Sequence, residues 1–259
     1  MYKLFSLAAL DLNHKEMNQT MIELTELSKK YGSFLAVDRL TLSIPPGEVF
    51  GFIGPNGAGK TTTIQMISGL IRPTSGRVRI KGSDMGKDPV AAKGKIGFIP
   101  DRPYLYEKLT AMEFLKFTAD LFSVDKSRFN AKASALLSTF SLTQWADELI
   151  ESFSHGMKQR LIMAAALVHD PEIIVVDEPM VGLDPQAITL VKQILRDFAD
   201  KGGAVFLSTH TLHIAQDLCD RIGLINKGRL AALGSVSELK SVAGTDNEDL
   251  EDLFMALTK

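Results

Sequence analysis

Eight consecutive residues, Gly54-Pro55-Asn56-Gly57-Ala58-Gly59-Lys60-Thr61, restrict this chain more than any other feature. They match G-x-x-x-x-G-K-[ST]. The short apolar run Glu48–Ile53 precedes them and suits a buried strand. A helix is expected to follow from about Ala58 to Leu70, stopped by Pro73. Between a strand and a helix, such a loop curls its backbone N–H groups around phosphate oxygens, and the helix N-terminus adds about half a positive charge. Lys60 is placed for the β- and γ-phosphates, Thr61 for Mg²⁺ and Thr62 for the α-phosphate. The plain alternative is a glycine-rich turn that only caps a helix. The strand-then-helix context favours the phosphate reading.

A second element supports it. Ile173-Ile174-Val175-Val176 reads as a central strand, and Asp177-Glu178-Pro179 follows it. Asp177 then emerges at a carboxyl end, where open α/β sheets bind ligands. Successive strand residues face opposite ways, but Pro179 argues that the strand stops, so both carboxylates can converge. Asp177 is expected near Mg²⁺ and Glu178 as base or water-orienter. Two solvated acids at a strand end are the alternative. Together the two elements indicate a P-loop NTPase.

The rest of the pattern fits an α/β fold. Ile22–Leu27 and Leu35–Ile44 alternate loosely about the turn Tyr31-Gly32-Ser33 and read as an N-terminal antiparallel β subdomain. Arg77–Lys81 reads as an edge strand and Ile96–Ile99 as a buried one. Residues 110–150 are helical in pattern, so a helical subdomain is expected as an insertion over about 102–160. Strands Ala204–Leu207 and Arg221–Ile225 then alternate with helices Gln186–Phe198 and Leu212–Leu218. That alternation calls for right-handed crossovers and a mostly parallel sheet.

Composition narrows the function. Lys plus Arg number 29 and Asp plus Glu 31, a net charge of −2, so no basic excess exists to hold a polyanion and no nucleic acid is expected as partner. The one cysteine, Cys219, suits a small buried hydrophobe in a reducing compartment. His14, His155, His169, His210 and His213 lack carboxylate or Cys company at ligand spacing, so a metal cage is not expected. The longest apolar candidate, Leu161–Val168, falls far short of the roughly 20 residues that span a bilayer. Residues 1–20 read as a poorly ordered leader, with Met17 and Met21 as alternative starts. The acidic stretch Asp246–Asp252 before Leu253, Phe254 and Leu257 suggests a short tail helix over 243–259. The chain is read as intracellular and soluble by itself, so any role at a membrane needs a partner.

At this point a resemblance becomes specific, and it covers nearly everything from Met21 onward. Ser154-His155-Gly156-Met157-Lys158-Gln159-Arg160 stands where ATP-binding cassette transporters carry their signature loop, Gly182-Leu183-Asp184-Pro185 resembles their D-loop, and Ser208-Thr209-His210 resembles their switch histidine. Tyr31, in Lys30-Tyr31-Gly32, is similar to the aromatic on which the family stacks adenine. Read alone, Ser154 is equally a helix N-cap, Asp184-Pro185 a helix start, His210 a capping residue and Tyr31 strand packing. The order and spacing of all of them carry the resemblance. Two departures stand out. The family's signature usually reads Leu-Ser-Gly-Gly-Gln, where this chain has Phe153-Ser154-His155-Gly156-Met157; and Asp101, in Ile99-Pro100-Asp101-Arg102-Pro103, stands where the family usually has Gln.

The resemblance implies an ATPase domain over 21–242. It implies two such subunits closing head to tail over ATP and Mg²⁺, the second being an identical copy or a close paralogue. Each site would join Gly54–Thr62, Asp101, Asp177, Glu178 and His210 of one subunit to Ser154 and Gly156 of the other. It also implies a membrane-spanning permease partner docked on the helical segment 102–150, with the chain cytoplasmic and peripheral on the inner face of the membrane. The signature's Met followed by basic residues resembles a bacterial subgroup with many exporters. The competing expectation is a soluble cassette ATPase acting on nucleic acid or the translation machinery. Such relatives tend to carry a coiled coil, a zinc insertion or tandem cassettes, and the sequence shows none of these.

Overall fold

The structure is a computed structural model that describes residues 20–243 except Pro103. The expected leader and the expected acidic tail helix lie outside the described residues, apart from Thr20 and Ala243.

Strands β1 (Ile22–Tyr31) and β2 (Phe34–Ile44) form an antiparallel hairpin, with Tyr31 paired to Phe34 across Gly32-Ser33. The loose alternation in the sequence has a physical cause. Glu26 takes φ +48°, the register shifts between Leu24 and Leu27, and the buried face changes phase there. Strand β3 (Val49–Ile53) is wholly buried. Helix α1 (Lys60–Ile67) is shorter than its pattern suggests, because Gly59 and Gly69, both at positive φ, bracket it. Strand β4 (Ser75–Ile80) pairs with β1 on one side and with the two-residue β5 (Ser83–Asp84) on the other, so it is not the bare edge the sequence suggested. The result is a four-stranded antiparallel sheet in the order β2-β1-β4-β5.

A short helix α2 (Pro89–Lys93), capped by Asp88, leads to β6 (Ile96–Ile99). Helices α3 (Ala111–Leu121) and α4 (Lys126–Thr139) follow, the first closed by a Thr110–Glu113 capping box. Helix α5 (His155–Leu167) starts at Ser154, whose Oγ accepts from the Met157 N–H at 3.3 Å. Then come β7 (Ile173–Asp177), α6 (Pro185–Asp200), β8 (Ala204–Thr209), α7 (Leu212–Leu218), β9 (Arg221–Asn226), β10 (Arg229–Ser235) and α8 (Val236–Ala243). The main sheet has the order β10-β9-β3-β8-β7-β6 and is parallel throughout except for the β9–β10 hairpin.

Period-two side chains divide this sheet between two cores. Phe50, Phe52, Ile173, Val175 and Phe206 face α1 and the antiparallel sheet. Val49, Ile53, Ile174, Val176, Val205 and Leu207 face the apolar residues of α3 to α7. The rings of Phe50, Phe52 and Phe206 pack against one another in tilted pairs, with centroids 5.3–6.5 Å apart. Burying both faces explains why these strands read as continuous apolar runs. Among the described residues no helix is long and apolar enough to cross a membrane.

Candidate active site

Three parallel strands, in the order β3-β8-β7, bring the site together. Ile53 lies opposite Thr209, and Asp177 opposite Ser208, so their carboxyl ends stand level on one edge of the sheet. The loop after β3, the Asp177-Glu178 end of β7 and His210 after β8 therefore meet where such sheets bind ligands.

Gly54–Gly59 turns into α1 without a side-chain cap. Gly59 occupies the N-cap position at φ +111°, and no acidic residue sits in the first turn. A Cβ on Gly59 would fall 2.6 Å from the Ala36 carbonyl oxygen, so the turn and the hairpin above it both require glycine. The first-turn N–H groups are thus free to meet an anion. Lys60 is only 7% exposed. Its Nζ donates to the Gly54 carbonyl at 2.7 Å and the Pro55 carbonyl at 3.3 Å, and lies 4.0 Å from Glu178 Oε1. Burial pulls the Lys60 pKa down, against the opposing pull of Glu178 and Asp177.

Asp177 is buried and held by two hydroxyl donors, Ser208 and Thr61. Burial pushes its carboxyl upward, the two hydrogen bonds pull it down, and the charges of Glu178 and Asp101 push it up again; the balance lies upward. Thr61 is hydrogen-bonded to Asp177 and the charge of Asp101 is felt there, so the side chains acting on this carboxylate bring oxygen donors, the kind that suits a hard divalent cation. Among the described residues no three His, Cys, Asp or Glu side chains form a metal cage. A Mg²⁺ held here would take its remaining ligands from phosphate and water.

Glu178 has the left-handed φ of +48°, unusual for a non-glycine residue. Its N–H donates to the Ser208 carbonyl at 3.1 Å. Its Oε1 lies 2.9 Å from His210 Nδ1 and 4.0 Å from Lys60 Nζ, and its charge is felt at Asp177. Convergence of the two acids thus rests on the backbone of Glu178 itself, not on Pro179 alone.

Lys60, Thr61, Asp177, Glu178 and His210 lie together at this edge. Thr62 sits beside them in the first turn of α1, and Asn56 and Gly57 form the exposed lip of the loop. Tyr31 stands at the β1–β2 hairpin, 47% exposed, with Lys29 Nζ 5.1 Å from its ring centroid. Ser154 and Gly156 lie at the start of α5. Among the described residues no hydrogen bond or ion pair joins them to Gly54–Thr62. Ser208 escaped the sequence reading as a site residue. Its only signal is the register that sets it opposite Asp177.

Comparison with known proteins places this geometry. Residues 37–181 match the family described as ABC transporter. The chain belongs to that family. It is 39% identical over 226 residues to the linearmycin resistance ATP-binding protein LnrL of Bacillus subtilis, covering 87% of this chain and 73% of that one. It is 37% identical over 238 residues to the Nod factor export ATP-binding protein I of Paraburkholderia xenovorans, covering 92% and 78%. A solved structure titled as the ATP binding subunit of an ABC transporter superposes with a TM-score of 0.87 at 32% identity, over 93% of this chain and 100% of that one. This ABC protein is accordingly an ATP-binding ATPase subunit with an α/β P-loop fold, and the cluster at the β3-β8-β7 edge is its candidate ATPase site.

Proposed function

We propose that the chain powers export through a separate membrane-spanning partner, by hydrolysing ATP at sites shared between two copies of itself or between itself and a close paralogue. One observation carries the chemistry: Lys60, Asp177, Glu178 and His210 meet at one strand edge, beneath an uncapped helix N-terminus. In this reading the ATPase domain spans 21–242, with its helical part at about 102–160.

Loop N–H groups and Lys60 hold the phosphates, and Tyr31 stacks on the adenine. Thr61, Asp177 and Asp101 would hold Mg²⁺, which when bound would neutralise phosphate charge. Glu178 takes a proton from the attacking water, whose oxygen bonds to the γ-phosphorus as the bond to ADP breaks. His210, bonded to Glu178, fixes that carboxylate's direction. Ser154 and Gly156 complete the site of the opposite copy, which is consistent with their place away from the chain's own loop.

Exposed apolar residues on the helical segment support a docking face for the partner. Tyr104 is 85% exposed, and Tyr106, Phe117, Leu121 and Phe122 are also open to solvent. A cavity of about 230 Å³ lined by Leu70, Phe98, Phe114 and Phe122 adjoins α3. Docking there would place the chain peripherally, on the inner face of the membrane. Export is supported by the names of its relatives, a resistance protein and an export protein.

The test is Glu178→Gln. Turnover should fall by about 10²–10⁴-fold, the usual worth of a general base, while calorimetric ATP affinity stays within twofold. Turnover equal to the parent's would remove Glu178 from the chemistry.

A further inference from the structure

The signature turn departs from its family's pattern at His155, and a basic residue follows at Lys158. Both residues make specific contacts within the same chain. The His155 ring packs on Gly182: a Cβ there would fall 2.8 Å from Cδ2 and 3.0 Å from Nε2, and Gly182 has φ +76°. Gly182 lies in the turn that begins at Glu178, where the Val181 N–H meets the Glu178 carbonyl and the Leu183 N–H meets the Met180 carbonyl, both at 3.4 Å. Leu183 touches the same helix end, its Cδ2 3.8 Å from where a Cβ on Gly156 would stand.

On the other side, Lys158 Nζ pairs with Glu107 Oε1 at 2.5 Å, and Lys108 Nζ with Glu151 Oε2 at 2.6 Å. Between these crossed pairs, the Ile150 N–H donates to the Leu109 carbonyl and the Glu151 N–H to the Glu107 carbonyl, both at 3.0 Å. The segment that follows Asp101 is thereby laced to the residues just before Ser154. The start of α5 is gripped from the Glu178 turn and from the Asp101 segment at once.

We propose that His155 and the Glu107–Lys158 pair are positioning residues, which hold the first turn of α5 ready for the nucleotide carried by the opposite copy. A helix end that receives a phosphate from another molecule gains affinity when its orientation is set beforehand, because ordering is not then charged to the encounter. The family's glycine at 155 would leave the contact with Gly182 unmade. This inference rests on the proposal that Ser154 and Gly156 serve the opposite copy.

The experiment uses the full chain carrying Glu178→Gln, with ATP titrated against molar mass by light scattering and monomer ATP affinity measured by calorimetry. His155→Ala, Glu107→Lys and Lys158→Glu should each raise the ATP concentration for half-maximal dimerisation about fivefold, the effect of a well-made exposed pair. Monomer ATP affinity should stay within twofold of the parent. The double swap Glu107→Lys/Lys158→Glu should return the midpoint to within twofold of the parent. Two controls separate positioning from other causes. Alanine is a better helix former than histidine, so a role confined to helix stability would not produce the His155→Ala defect. Direct attraction of phosphate would make Glu107→Lys dimerise more readily, the opposite of what positioning requires. Ser154→Arg is the reference. If it blocks dimerisation while His155→Ala and Glu107→Lys behave as the parent, the positioning role is overturned alone. If Ser154→Arg itself dimerises normally, the shared-site reading and this inference fall together.

Discussion

At the scale of single residues the site is built from cost as much as from attraction. Glu178 sits at φ +48°, a conformation worth roughly 1–3 kcal/mol of strain, held by its N–H bond to Ser208 and the His210 contact. Asp177 and Lys60 are both buried, and burial moves both pKa values towards the neutral form. A bound phosphate and cation would repay each. Asp101 is the residue the family pattern leaves unexplained, and its charge is felt at Asp177. If it ligates Mg²⁺, Asp101→Asn keeps the shape and drops the charge. The Mg²⁺ concentration for half-maximal ATPase should then rise about tenfold, the size of a lost charge-assisted contact. Metal-free ATP affinity should rise as well, because a negative charge beside the phosphates is gone. Superimposable Mg²⁺ curves, with unchanged calorimetric affinity, would leave Asp101 no place at the metal.

At the scale of elements, the sequence was readable wherever burial enforces a pattern. The runs Ile173–Val176 and Ala204–Leu207 were readable as buried strands because both of their faces are covered. Strand β10 was not, since its exposure alternates over the weakly apolar Leu230-Ala-Ala-Leu233. Helix α2 was missed although Asp88-Pro89 is a fair start signal; five residues carry too little periodicity to read. Phosphate-loop chemistry was legible because it is local, whereas the Ser208–Asp177 bond depends on register between strands far apart in sequence. One close packing contact was equally hidden. A Cβ on Gly51 would fall 2.8 Å from Cys219 Sγ, so α7 lies directly on β3 there. Gly51→Ala should cost about 1–3 kcal/mol of unfolding free energy by overpacking. Cys219→Ala removes the clashing atom, so the double variant should lose at least about 1 kcal/mol less than the sum of the singles. Urea denaturation of all four proteins checks it, and strictly additive losses would contradict the contact.

At the scale of the whole molecule, the strand order β10-β9-β3-β8-β7-β6 could not be counted from spacing, because crossovers of similar length permit several orders. That order puts three loops on one edge. It leaves Ser154 and Gly156 at the head of α5, with no bond to the chain's own phosphate loop among the described residues. We propose this architecture as half of a site whose other half comes from another copy. Ser154→Arg in the Glu178→Gln background measures this most directly, by light scattering with saturating ATP and Mg²⁺ beside calorimetry on the monomer. Glu178→Gln alone should form a dimer, and adding Ser154→Arg should leave a monomer with unchanged ATP affinity. A monomer that loses ATP binding, or a dimer that forms regardless, would contradict it.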